Sequence, residues 1–120
     1  MFRFVVFAVG AGIAFAGAFG VMPAKASSLY FEKVAVKTTS ERTCLSFARQ
    51  VIHPGGYTGI HTSQSEAAGN TQGVYVSITC VGRGSLPAIA VVMAMSDDFA
   101  AAKQVGHTAA THMAGVQLID

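Results

Sequence analysis

Two cysteines constrain this 120-residue chain more than any other feature. Cys44 lies in SERTCLSFARQVI (residues 40–52) and Cys80 in GVYVSITCVG (residues 73–82). In the first segment Cys44, Leu45, Phe47, Ala48, Val51 and Ile52 recur at the spacing of one helical face, with Ser40 as the N-cap. In the second, strict alternation puts Val74, Val76, Ile78 and Cys80 on one side of a strand and Tyr75, Ser77, Thr79 and Val81 on the other. Each cysteine therefore belongs to the apolar side of its element. A helix packed on that side of the strand brings the two sulfurs together, so a Cys44–Cys80 disulfide is expected. The separation is unlike the C-x-x-C of a redox-active pair, which favours a structural bridge.

Oxidation of that pair depends on compartment. Met1-Phe2-Arg3 gives a short positive start, and Phe4 to Met22 then runs without a charge. Pro23 breaks the run, and Ala24-Lys25-Ala26 has the small-x-small pattern that signal peptidase accepts. The expectation is a secretory signal over residues 1–26, cleaved after Ala26, and one small domain over 27–120 in the periplasm or outside the cell. Export makes the disulfide the expected state. The competing expectation is an uncleaved anchor, because the apolar run is long enough to cross a bilayer. That segment is then the chain's one membrane contact.

Beyond residue 26 the charges balance, with Lys33, Lys37, Arg42, Arg49, Arg83 and Lys103 against Glu32, Glu41, Glu66, Asp97, Asp98 and Asp120. A neutral domain without a basic cluster gives nucleic acid no electrostatic footprint. At 52% hydrophobic and 12% charged residues, disorder is excluded as well.

The remaining pattern gives the architecture. Residues 32–39 (EKVAVKTT) alternate and read as a first strand with Val34 and Val36 toward the core. His53-Pro54-Gly55-Gly56 ends the first helix. Residues 58–65 read as a weak edge strand whose return leads into the strand at Gly73, and Gly82-Arg83-Gly84-Ser85 is a hairpin turn. Leu86 to Met95 has no polar side chain, as suits a central strand covered on both faces. Ser96-Asp97-Asp98 opens a second helix with a stripe of Phe99, Ala102, Gly106, Ala109 and Met113, closed by Gly115, and residues 116–119 suit a short last strand.

The expected class is α+β: a two-layer sandwich of a mainly antiparallel four- to five-stranded sheet with two helices on one face. The order β-α-β-β-(β)-α-β resembles the ferredoxin-like split arrangement, in which the first and the all-apolar strands are the central pair. That scaffold hosts many functions and implies none.

No nucleophile-base-orienter set is recognisable, so no catalytic residue is assigned and no cofactor is implied. The sequence favours a small exported, non-enzymatic binding protein. Its expected interface is the sheet face opposite the helices, assigned here to Tyr75, Ser77, Thr79, Ala88, Ala90 and Val92, and its partner is a second copy or another envelope protein. In this assignment Met93 and Met95 face the core. Two alternatives stand beside it. One is a copper- or zinc-binding accessory protein using His61, His107 and His112 with a methionine. The other is a small hydrolase or isomerase with the glycine-rich stretch from Gly55 to Gly73 as its lid.

Overall fold

The computed structural model describes residues 27–117. The elements run β1 (Ser28–Ala35), α1 (Glu41–Ile52), β2 (Thr58–Thr62), β3 (Glu66–Thr71), β4 (Val74–Arg83), β5 (Leu86–Ser96) and α2 (Phe99–Gly115). The strands form one sheet in the order β1-β5-β4-β3-β2, with every neighbouring pair antiparallel. This is an α+β fold of a five-stranded antiparallel sheet and two helices.

Local chemistry sets the element ends. The Ser40 hydroxyl accepts from the Thr43 amide at 3.1 Å and starts α1, and the Asp98 carboxylate accepts from the Ala100 amide at 3.0 Å to start α2. Gln72 and Gly73 have φ of 53° and 75°, two consecutive left-handed residues that turn β3 directly into β4. Beyond Ala35 the pairing of β1 continues irregularly, with the Val36 amide donating to the Ala88 carbonyl and the Ala88 amide to the Thr38 carbonyl.

The two sides of the sheet differ completely. Register aligns Cys80 with Ala90, Ile78 with Val92 and Val76 with Ala94, and all of these are buried. On this side α1 is fastened to the sheet by the Cys44–Cys80 disulfide, with Cα atoms 6.0 Å apart. Phe47, Ile52, Val74 and Met113 complete the same core cluster. At Gly106, α2 meets this side so closely that an added Cβ would lie 3.0 Å from the Ala94 Cβ and 2.8 Å from the Tyr30 ring. Only glycine permits that approach.

Several expectations are corrected here. β1 starts four residues earlier than expected and lies at the edge of the sheet, where it pairs only with β5. The strand expected at 116–119 is absent at Val116 and Gln117, and its remainder lies outside the described residues. The order between residues 27 and 117 is therefore β-α-β-β-β-β-α, not the ferredoxin-like one. The return leg of the edge hairpin is itself a strand, β3, whose Ala67, Ala68 and Gly69 are buried. Their small side chains hid it, because alternation of large apolar residues is the usual strand signal. The Gly55–Gly73 stretch is thus occupied mostly by two paired strands rather than a lid.

The phase of β5 is also corrected. Ala88, Ala90 and Val92 lie under the helices with no exposure, and Ile89, Val91, Met93 and Met95 point the other way. Size misled the assignment, since large residues are expected inside. Here a helix stripe of alanine and glycine packs against a strand face of alanines, so the small side is the buried one.

Candidate functional site: the open sheet face

On the side away from the disulfide, the register builds cross-strand rows. Leu29, Met95, Tyr75 and Asn70 form the first, on β1, β5, β4 and β3 in turn. Phe31, Met93, Ser77 and Ala68 form the second, and Lys33, Val91, Thr79 and Glu66 the third. Ala35, Ile89 and Val81 form a fourth across three strands. Large apolar side chains dominate, and Leu29 (52%), Phe31 (60%), Met95 (44%) and Val81 (46%) are well exposed. Leu29, Tyr75, Ser77, Met93 and Met95 line a shallow recess of about 130 Å³. The expected interface residues Tyr75, Ser77 and Thr79 belong to this face. Ala88, Ala90 and Val92 do not.

Polar groups on the face are few and organised. The Ser77 hydroxyl donates to Glu66 Oε2 at 2.5 Å, which satisfies a serine only 5% exposed. Lys33 is exposed at the β1 end of the same row that Glu66 closes at the β3 end.

The histidines are dispersed. His61 is exposed on the edge strand β2, His107 and His112 are exposed on α2, and His53 caps α1 with its amide donating to the Arg49 carbonyl. Among the described residues, no group of three His, Cys, Asp or Glu side chains is placed to hold a metal ion. His112 borders a cleft of about 160 Å³ between the end of α1 and α2, together with Tyr57, Gln72 and Gln104. Burial pushes the Tyr57 phenol above its ordinary value.

One titratable cluster lies elsewhere. The Tyr30 hydroxyl donates to Glu32 Oε1 at 2.6 Å, and His107 Nδ1 approaches the same oxygen at 2.9 Å. The Tyr30 bond first, and the His107 bond second, hold the Glu32 carboxyl below the usual carboxylate range. A depressed folded-state value contributes stability that is present above the unfolded value and is lost as pH falls through the folded one. Tyr30→Phe should therefore flatten the acid side of the stability profile. Thermal midpoints followed by circular dichroism at about pH 7 and about pH 3 measure this, and an unchanged difference between wild type and variant would contradict it.

No family model, curated protein or solved structure matches the chain. The disulfide fits a location outside the cytoplasm. Among the described residues no helix is long and apolar enough to cross a membrane.

Proposed function

We propose that this protein is a small exported binding protein, without a catalytic role, that engages a protein partner through the open face of its sheet. In this reading residues 1–26 are a signal removed on export. The domain that follows is a two-layer sandwich with both helices on one side and the binding surface on the other. The observation that carries the reading is the placement of Leu29, Phe31, Tyr75, Val81, Met93 and Met95 together on one uncovered face. An antiparallel sheet commonly turns a solvated face to water, but that face is usually polar. A contiguous apolar patch of this kind marks an interaction site.

Site-specific photocrosslinking in producing cells tests it. A photoreactive residue at Phe31 should give a discrete protein adduct, whereas the same residue at Lys103, exposed on α2, should not. Equal labelling at both positions, or no adduct at Phe31, would remove the reading.

A further inference from the structure

We propose that the occupant of the open face is a second copy of this chain, packed face to face about a two-fold axis that runs along the strands between β5 and β4. The inference rests on the reading of that face as a binding surface and goes further by naming the partner and the register. In the order β1-β5-β4-β3, the β1 and β3 strands lie equally far from the β5/β4 midline, on opposite sides. A two-fold axis along that midline keeps each cross-strand row in place and exchanges its ends.

The consequences can be read from the rows. In the third row, Lys33 of one copy comes to face Glu66 of the other, twice by symmetry. In the second row, Phe31, the most exposed large apolar side chain on the face, comes over Ala68, whose methyl has no exposed surface, so the ring meets the side chains around it. Met93 likewise comes over Ser77. The charges are self-complementary under this operation. Sheets packed this way cross at about 30°, which displaces facing positions at β1 and β3 by roughly one residue, within the reach of a lysine stem. The face spans about 19 Å by 20 Å, or about 400 Å² in projection, which places the pair at the small, micromolar end of specific interfaces.

The test uses the protein purified from the exported fraction and sedimentation equilibrium from about 1 to 500 μM, a range set by that small interface. Wild type should dimerise, and Lys33→Glu and Glu66→Lys should each weaken the dimer by roughly tenfold, because each puts two like-charged contacts into it. The double variant K33E/E66K should recover wild-type association. An equimolar mixture of the two single variants should associate more tightly than either alone, since both contacts are then again between opposite charges. Circular dichroism and alkylation assays must show each variant folded and oxidised; because Glu66→Lys also removes the Ser77 hydrogen bond, Glu66→Gln, which keeps an oxygen to accept it but carries no charge, is the control and should weaken the dimer less than Glu66→Lys.

A wild-type monomer throughout the range overturns the proposal, and so does a dimer that ignores all the charge reversals. Its failure is separable from failure of the broader reading. An adduct from Phe31 to a different polypeptide, or to a peptide from residues 1–26, with a monomeric purified protein, assigns the face to another occupant and ends only the dimer. No adduct and no dimer end both.

Discussion

Replacing both cysteines, as C44A/C80A, is expected to lower the unfolding free energy by about 3.8 kcal/mol. The figure follows from the loop that the bridge closes, with a sequence separation of 36, whose restriction in the unfolded chain is lost with the bond. It is large because the described domain is small. At 0.05–0.15 kcal/mol per residue, a chain of this size holds roughly 5–14 kcal/mol in total. Cys44 is fully buried and Cys80 is 3% exposed, so loss of the sulfurs also leaves space that adds to the cost. The fold should nevertheless survive. Leu45, Phe47, Ala48, Val51 and Ile52 still bury the same face of α1, and Glu41 Oε1 still accepts from the Gly82 amide at 3.1 Å. Urea unfolding followed by circular dichroism measures the change. Wild type under reducing conditions should unfold close to the alanine variant, and a difference from oxidised wild type below about 1 kcal/mol would contradict the entropic account.

The bridge was legible because two periodicities converge on it. Helical spacing in residues 40–52 and alternation in residues 73–82 each place one cysteine on an apolar side, and neither depends on knowing the topology. The caps and turns were legible for a similar reason: Ser40, Asp98 and Gly84 act on their own backbone. Topology is different. The edge position of β1 depends on whether a further strand adds to its free side, and among the described residues none does: Val116 and Gln117, where such a strand was expected to begin, are not in a strand. The all-apolar run of β5 was read correctly as interior to the sheet but not as covered on both faces, since Met93 and Met95 are exposed. An element apolar on both sides, however, carries no internal mark of which side meets the helices.

That ambiguity decided which residues were assigned to the open face. Tyr75, Ser77 and Thr79 could be assigned from the alternation of β4, whose two sides differ in polarity. Ala88, Ala90 and Val92 could not, because β5 alternates in size and not in polarity. The signal that resolves it lies in another element. Ala102, Gly106 and Ala109 give α2 a small-residue stripe, and a helix with such a stripe approaches a sheet closely only where the sheet is also small. Matching small with small would have turned the alanines of β5 inward and its methionines outward. That Lys33 and Glu66 end the same cross-strand row was not legible, because they are three strands apart in the sheet and are related only through the register.

Phe47→Ala is expected to have an effect of the same order as loss of the bridge, about 3–5 kcal/mol. Phe47 is fully buried and is the largest of the enclosed side chains, in the cluster where α1 meets the sheet. Its removal costs both the transfer of a benzyl group and the cavity left between elements that cannot close. The disulfide works against relaxation here, since α1 is bonded to β4 one turn earlier and cannot slide inward to fill the space. Phe99→Ala provides the internal contrast. That ring is 50% exposed at the start of α2, where it approaches the Tyr30 ring edge-on at 6.3 Å. Its loss should cost only about 0.5–1.5 kcal/mol. Both variants keep the disulfide, so chemical denaturation under oxidising conditions compares them directly. Equal costs for the two phenylalanines would mean that the core is not centred beneath α1, and that the side of the sheet taken as covered is not the one that holds the protein together.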